Sequence, residues 1–176
     1  MKILALCGSL RQESRSLALL ESAQILASDK YDFSIFRYSG DLPLFNPDIE
    51  AFAPASVHAL WRAIDNSDVV VISSPEYAHG VTAVFKNTLD WLVGYIPFAY
   101  KPVAIFNPSH RAQHADDALK EILTTMAARL IPNACLRIPV TGSTLSAVEM
   151  SNDKEFSALI RSALKAIEVF CDNEPR

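Results

Sequence analysis

The stretch "DVVVISSPEYAHG", residues Asp68 to Gly80, contains the sharpest change of character in the chain. Its first half, Asp68–Ser73, is a continuous β-branched run, which predicts a strand buried on both faces. Its second half is a polar and aromatic loop in which Pro75 restricts the backbone and Gly80 permits close approach or a positive φ. Strands buried on both faces are typical of parallel sheets flanked by helices, so an α/β architecture is expected.

On either side of this strand the chain alternates strand and helix patterns. Four further strands are predicted, over Lys2–Cys7, Asp32–Phe36, Pro102–Asn107 and Ala134–Ile138. Helices are predicted from Ser14 or Ser16 to about Ser28, over 54–67 with Pro54 near the start, over Val81–Leu92 with Gly94 and Pro97 ending it, over 114–131 with Pro132 ending it, and from Asp153 to about Cys171.

Five strands alternating with five helices predict an α/β fold with a doubly wound parallel sheet and helices on both faces. Five strands favour the flavodoxin-like order 2-1-3-4-5 over the six-stranded Rossmann order. The chain shows no internal repeat and no linker, so residues 1–176 are expected to form a single domain. A ligand should bind beyond the carboxyl ends of strands 1 and 3, where the strand order reverses.

Composition narrows the class of function. The net charge of −4 argues against a general nucleic-acid binder, which carries a basic stripe. The cysteines Cys7, Cys135 and Cys171 form no C-x-x-C pair, which argues against a disulfide framework or a zinc site. The apolar run before Gly8 is too short for a signal peptide or a membrane span. A cytoplasmic protein without membrane attachment is therefore expected.

The loop after strand 1, "CGSLRQESRS", has the chemistry of a phosphate site. Ser9, Ser14 and Ser16 supply hydroxyl groups, and Arg11 supplies a charged fork. The loop runs into a helix N-terminus, which favours an anion. It lacks the motifs of nucleoside triphosphate and dinucleotide sites, so a single terminal phosphate is the better match. The alternative is an ordinary helix cap at Ser14 or Ser16 with a solvated Arg11.

The loop after strand 3, "PEYAHG", contains no nucleophile and no catalytic triad spacing. A rigid loop of this kind can present backbone N–H and C=O groups to the polar edge of a flat heterocycle, with Tyr77 lining the slot. Glu76 is more often a partner of nearby backbone than a catalytic base. His79 is either a proton donor or a solvated surface residue, and a plain strand-to-helix turn is the alternative for the loop as a whole.

A third loop, "NPSHRAQH", leaves strand 4 at the same edge of the sheet. Ser109 is placed to close the far side of a ring site. His110, Arg111 and His114 are either solvated or meet an anionic substrate. A metal site at His110 and His114 is not favoured, because no third ligand lies nearby in the sequence.

These segments resemble a known family. "GSLRQESRS", "LPLFNPDIE", "SSPEYAHGVTAVFKNTLDW" and "KPVAIFNPS" are similar, in this order, to motifs of the NAD(P)H-dependent FMN reductases, a flavodoxin-like family that includes bacterial quinone, chromate and azo-dye reductases. The resemblance covers roughly residues 1–138. It implies bound FMN, with NADPH or NADH as electron donor. The implied cofactor contacts are Ser9, Arg11, Ser14, Ser16, Pro75, Glu76, Tyr77, Ala78, His79, Gly80 and Ser109.

The chain departs from the family pattern at several positions. Glu13 replaces a Gly and Ser16 replaces an Asn in the first motif. Ala78, His79 and Gly80 stand where Asn, Gly and Ser are usual, so Ala78 can offer only backbone contacts. Lys86, Asn87 and Asp90 match the family and are expected to brace the loop and helix rather than touch flavin.

The resemblance also implies a homodimer or homotetramer. Trp91, Tyr95 and Phe98 are candidates for the contact between subunits, with core packing as the alternative for Trp91.

The predicted function is hydride transfer from NAD(P)H through FMN to a quinone-like or other small acceptor, with no catalytic side chain because the flavin carries the chemistry. Two alternatives stay open: a non-enzymatic FMN electron carrier, and a flavin-free regulatory module on the same fold.

Overall fold

A parallel β-sheet lies at the centre of the protein, in a computed structural model that describes residues 1–27, 30–138 and 145–173. The strands are β1 Lys2–Cys7, β2 Asp32–Phe36, β3 Val69–Ser73, β4 Glu76–Tyr77, β5 Gly80–Val81, β6 Pro102–Asn107, β7 Arg129–Leu130 and β8 Leu136–Arg137. The sheet has the order β2-β1-β3-β6-β7, with β8 also paired to β6, while β4 and β5 form a separate hairpin. The flavodoxin-like α/β fold predicted from the sequence is confirmed.

The central strands end at the same level, which brings the loops that follow them together. All five residues of β3 are buried, as are the last five of β1. Cys7 pairs with Ser73 at the carboxyl ends of β1 and β3. Ile72 pairs with Ile105 of β6 on the other side. The order reverses between β1 and β3, so the predicted ligand crevice lies where their two loops meet.

The fifth position of the sheet differs from the prediction. Instead of one strand over Ala134–Ile138, β7 pairs with the start of β6 and β8 pairs with its end. A short 3₁₀ helix, Pro132–Ala134, separates the two pieces. Proline has no N–H for the ladder and fixes its own φ, so a continuous strand cannot pass through Pro132.

Helices cover both faces of the sheet. They are α1 Arg15–Leu26, α2 Ala55–Asp65, α3 Ala83–Asp90, α4 Gln113–Thr125, α5 Ala147–Asn152 and α6 Lys154–Asp172, with further 3₁₀ turns at Ser39–Asp41, Pro47–Phe52 and Ile96–Phe98. One core cluster packs α1, α5 and α6 against one face, and a second packs α2, α3 and α4 against the other. Residues of β1 alternate between the clusters, as strand geometry requires. None of the helices within the described ranges combines the length and apolarity needed to cross a bilayer.

Two helix boundaries correct the sequence-based predictions. The predicted helix over 114–131 ends at Thr125, because Ala127 takes a positive φ of 57°. The N–H of Ala128 donates to Leu123 O and the N–H of Ala127 to Thr124 O, which is a Schellman ending with Ala in the usual Gly position. The helix predicted from Val81 begins at Ala83, because the Thr82 side chain accepts the N–H of Phe85 and caps it.

Helix α5 was missed from the sequence. Ser146 and Glu149 form a capping box at its start, with each side chain bonding the other residue's backbone N–H. The S-x-x-E spacing was the signal for it.

Candidate functional site

The loops after β1 and β3 touch each other directly. The N–H of Gly8 donates to Ser73 O at 2.8 Å, and the Thr82 hydroxyl donates to Gly8 O at 2.7 Å. A Cβ atom added to Gly8 would lie 2.2 Å from Ser74 Oγ. Only glycine leaves room for this approach, so Gly8 and Thr82 fix the relative position of the two loops. The role of Thr82 was not predicted from the sequence, because its partner Gly8 is distant along the chain.

In the first loop, two serines organise the backbone. Ser9 Oγ accepts the N–H of Arg11 at 3.3 Å, and Ser14 Oγ accepts the N–H of Leu17 at 3.3 Å. Ser14 is therefore the N-cap of α1, as one of the two readings of the sequence required. Its hydroxyl proton is not used in that bond, and the Cys7 sulfur is a nearby acceptor for it.

The same loop leaves polar groups without partners. Ser16, in the first turn of α1, is 1% exposed, and its hydroxyl has no hydrogen-bond partner among the described residues. The exposed Arg11 guanidinium forms no ion pair within the described ranges. A buried hydroxyl without a partner is costly, and a helix N-terminus attracts anions. This donor set suits a phosphate group.

The second loop is a β-hairpin that was not predicted. Tyr77 pairs with Gly80, leaving Ala78 and His79 as a two-residue turn. Their φ values of 49° and 59° correspond to a type I′ turn. Such turns prefer Asn-Gly, and the absence of that dipeptide hid the hairpin in the sequence.

Two side-chain contacts attach this hairpin to the start of α4. Glu76 Oε2 accepts the N–H of Ala115 at 2.8 Å. The rings of His79 and His114 stack with their centres 4.3 Å apart. The α4 N-cap, Ala112, offers no side-chain acceptor, so the Glu76 carboxylate supplies one from outside the helix. Glu76 thus bonds backbone, in line with the sequence-based interpretation.

The third loop is organised by Asn107, which sequence reasoning treated only as the end of a strand. Asn107 is 4% exposed. Its Nδ2 donates to Ala112 O at 3.0 Å, and its Oδ1 accepts the N–H of Ser109 at 3.0 Å. Ser109 Oγ in turn accepts the N–H of Arg111. Ser109 follows β6, which pairs with β3. The structure therefore places Ser109 at the same edge of the sheet as the other two loops.

Asp116 is a buried charge that anchors α4, and it was also missed. It is 5% exposed and accepts hydrogen bonds from Lys120 and Arg137 at 2.7 and 2.5 Å. Burial by itself raises the pKa of this carboxyl, but the two cationic donors outweigh it and hold the pKa below the usual range. The ion pair with Arg137 attaches α4 to β8. It thereby fixes the position of the helix that contacts the hairpin.

The residues after the hairpin brace a neighbouring segment. Asn87 Oδ1 accepts the N–H of Phe45 at 2.8 Å, and its Nδ2 donates to Pro43 O at 3.0 Å. Trp91 Nε1 donates to the same carbonyl at 2.8 Å. Lys86 pairs with Asp90 within α3. These contacts agree with the predicted bracing role of Lys86, Asn87 and Asp90.

The proposed subunit contact through Trp91 and Phe98 is wrong. Their side chains are 0% and 1% exposed and pack inside the core. Tyr95 stacks on Trp61 with ring centres 4.9 Å apart and donates its hydroxyl to Asp65 Oδ2 at 2.7 Å. Burial, together with this bond to a carboxylate, raises the pKa of Tyr95 to about 12. All three aromatics are thus used within one chain.

A doubly wound parallel sheet of this order, with the loops after β1 and β3 in contact, defines a flavodoxin-like α/β protein. The family model described as NADPH-dependent FMN reductase matches residues 1–141. The chain belongs to this family. The resemblance predicted from the sequence is confirmed, and with it the enzyme class: an oxidoreductase with FMN and NAD(P)H as cofactors.

Similar proteins and structures carry reductase or oxidoreductase names, in agreement with this family. The chain is 33% identical over 141 residues to an NADH:(hydroxy)cinnamate reductase subunit of Vibrio ruber, covering 76% of this chain and 69% of that one. It is 34% identical over 109 residues to a quinone reductase of Escherichia coli, covering 60% of this chain and 58% of the relative. The flavoenzyme NAD(P)H:(acceptor) oxidoreductase of Paracoccus denitrificans superposes with a TM-score of 0.76 at 25% identity, covering 96% and 97% of the two chains.

Proposed function

We propose that this protein passes hydride from NADPH or NADH, by way of FMN bound at the crevice between β1 and β3, to a quinone or another small acceptor. Membership of the FMN reductase family supports the cofactors. The relatives named for quinone and cinnamate reduction support small, conjugated acceptors.

One observation carries the placement of the cofactor: the buried Ser16 hydroxyl, in the first turn of α1, has no hydrogen-bond partner among the described residues. We infer that the FMN phosphate is its missing acceptor. Arg11 then supplies charge-assisted bonds, and Ser9 and Ser14 supply hydroxyl groups beside the helix start. These four residues are the ones that the sequence predicted for the phosphate side of the site.

The hairpin and the third loop are assigned to the flavin ring. The N–H groups of Ala78 and His79 have no backbone partner among the described residues, so the turn has two donors free for a ligand. Tyr77, which is half exposed, and Gly80 border the turn, Pro75 precedes the hairpin, and Ser109 lies in the next loop at the same edge of the sheet. Glu76 contributes indirectly, because its carboxylate is engaged by α4.

No side chain of this site is assigned a catalytic role. FMN, when bound, supplies the redox chemistry that accepts and passes on hydride. The protein's residues would hold the phosphate and fix the backbone beside the ring.

We also propose that the protein is a homodimer or homotetramer. Leu44, Ile49, Phe52, Val93 and Ile96 are apolar side chains at the surface, and all but Ile49 are more than 60% exposed. A Cβ atom on Gly94 would lie 2.6 Å from Glu50 Oε1, so the segments carrying these residues are adjacent. An apolar patch of this kind suits a second copy of the chain. Light scattering after gel filtration should show a dimer or tetramer, and Phe52→Glu should shift it toward monomer.

The remaining expectations are proposals of the same kind. Residues 1–176 are proposed to form one domain, supported by the single sheet that both core clusters share. A cytoplasmic location is proposed, since the thiols of Cys7 and Cys135 are unbridged and suit a reducing compartment.

The test of the proposed function is direct. Purified protein should be yellow or turn yellow with added FMN, and it should oxidise NADPH or NADH when a quinone is present. Donors should be screened against quinones, azo dyes, chromate and free flavin. A protein that binds no FMN and consumes neither donor would refute the proposal. FMN binding without NAD(P)H oxidation would point instead to an electron carrier.

A further inference from the structure

A pair of histidines joins the tip of the hairpin to the first turn of α4. The imidazole of His79 stacks on that of His114, with ring centres 4.3 Å apart and planes inclined by 26°. One residue further along α4, the N–H of Ala115 donates to the Glu76 carboxylate. Successive residues of α4 therefore hold the tip and the base of the same hairpin.

The tip needs such support because of its backbone. Ala78 and His79 both have φ in the left-handed region, at 49° and 59°. Residues with a Cβ adopt this region only when their surroundings compensate for the strain. Histidine is found there more often than most residues, whereas alanine is not. With neither Asn nor Gly at the two turn positions, the turn chemistry does not set this shape, and tertiary contacts must hold it.

We propose that His114 is a positioning residue for the flavin-ring site: by stacking on His79 it holds the Ala78–His79 turn in its left-handed form. The backbone N–H groups of that turn, which have no backbone partner among the described residues, then keep one fixed orientation. This inference rests on the placement of the flavin ring proposed above. It also links the two ring-side loops, because α4 begins directly after the segment that Asn107 ties down through Ala112.

The contact acts through shape rather than through a bound metal ion. Within residues 1–27, 30–138 and 145–173, no third His, Cys, Asp or Glu side chain completes a metal-binding group with the pair. Stacked aromatic rings have preferred relative geometries, so the His114 ring restricts where the His79 ring can lie.

The experiment compares two substitutions at His79 that remove the ring but treat the backbone differently. His79→Ala loses the stack and keeps a Cβ in the left-handed region, while His79→Gly loses the stack and the strain at that position together. At His114, the Ala variant removes the stack, and the Phe variant keeps an aromatic partner. Amide hydrogen exchange over residues 76–81 in the FMN-free protein and FMN affinity are measured for each.

His114→Ala and His79→Ala should each raise exchange of the hairpin and weaken FMN binding by about three- to tenfold, the range expected for loss of an aromatic pair. His114→Phe should stay close to the wild type in both measurements, and His79→Gly should raise hairpin exchange less than His79→Ala does. The double variant His79→Gly/His114→Ala should match His79→Gly alone, because a glycine tip no longer needs the stack.

Three results would overturn the proposal. Unchanged hairpin exchange in His114→Ala would show that the stack holds nothing. Equal effects of His79→Ala and His79→Gly would show that the backbone conformation is not what matters. An undiminished effect of His114→Ala in the His79→Gly background would assign His114 a general structural role. Since exchange is measured without cofactor, a wild-type protein that binds no FMN would refute the proposed function and leave this test readable.

Discussion

The first loop, residues 8–14, and the hairpin, Glu76–Val81, lie side by side but are built by opposite means. The first loop is held by ordinary caps and turns. Among the described residues, the Arg11 guanidinium forms no ion pair and the Ser16 hydroxyl just beyond the loop has no hydrogen-bond partner. The hairpin has its Glu76 carboxylate and His79 ring engaged within the protein, yet its turn has a strained backbone. The first loop supplies hydrogen-bond donors for a ligand, whereas the hairpin supplies a backbone conformation that depends on other contacts. Substitutions should therefore weaken ligand binding in the first loop and loosen structure in the hairpin.

Gly8 lies where the two regions meet, so its substitution should have the largest effect. In Gly8→Ala the new Cβ would collide with the side chain and Cα of Ser74, at 2.2 to 3.0 Å. Separating the loops should lower the free energy of unfolding by about 3 kcal/mol and impair FMN binding. Urea denaturation measures the first effect, and flavin fluorescence titration measures the second.

Two controls keep the Gly8 result specific. Gly40→Ala meets only the flexible end of Leu10 at 3.0 Å, so it should be nearly neutral. Adding Ser74→Gly to Gly8→Ala removes most of the collision and should recover part of the stability. A Gly8→Ala protein as stable as the wild type would mean that the loops do not need their close approach.

Arg11→Ala tests the first loop as a ligand site. Loss of a charge-assisted bond to phosphate should weaken FMN binding by about 1.5–3 kcal/mol, while the melting temperature of the FMN-free protein stays unchanged. Fluorescence titration at low and high salt measures this, and the difference between variant and wild type should shrink as salt screens the contact. Arg62→Ala, an exposed arginine near the end of α2, is the matched control. Equal FMN affinity of Arg11→Ala and wild type would remove Arg11 from the site.

Ser16→Ala separates binding from stability most clearly. It deletes a buried hydroxyl that has no partner without cofactor, so the FMN-free protein should be as stable as the wild type or slightly more stable. FMN binding should fall by about 1 kcal/mol. Ser22→Ala on the same helix is the control, because its hydroxyl already donates to Leu19 O. A Ser16→Ala protein that loses stability and keeps its FMN affinity would reverse the assignment.

Glu76→Gln should give the smallest effect and should follow the hairpin's pattern. The amide oxygen can still accept the N–H of Ala115, but the negative charge at the start of α4 is lost. A decrease of about 0.5 kcal/mol in the free energy of unfolding is expected, visible in chemical denaturation. A large loss of NAD(P)H oxidation with unchanged stability would instead indicate that Glu76 acts directly on the cofactor or substrate.

The parts of the fold that rest on local patterns were predictable. The β-branched run of β3, the alternation of strands and helices, and the Ser14 cap all follow from rules that need only neighbouring residues. The sheet order and the meeting of the first two loops followed from topology. The split fifth position was signalled by Pro132, which the prediction used to end a helix and not to interrupt a strand.

The parts that were missed depend on contacts between distant residues. The left-handed turn at Ala78 and His79 was missed because it lacks the Asn-Gly dipeptide typical of such turns. The contact of His79 with His114 joins it to a distant element. The roles of Thr82 and Asp116 depend on partners in other elements. Trp91 is an aromatic that a sequence cannot assign to an interface or to the core, and its hydrogen bond to Pro43 shows that it belongs to the core.

The central claim is that the start of α1 and the loop before it form a phosphate site, and comparing FMN with riboflavin tests it most directly. The two ligands share the ring and differ in the terminal phosphate. Fluorescence titration of the wild-type protein should show FMN binding at least about a hundredfold more tightly, since several charge-assisted and neutral hydrogen bonds depend on the phosphate. Arg11→Ala and Ser16→Ala should narrow that ratio by weakening FMN alone. Equal affinity of the wild-type protein for FMN and riboflavin would contradict the claim.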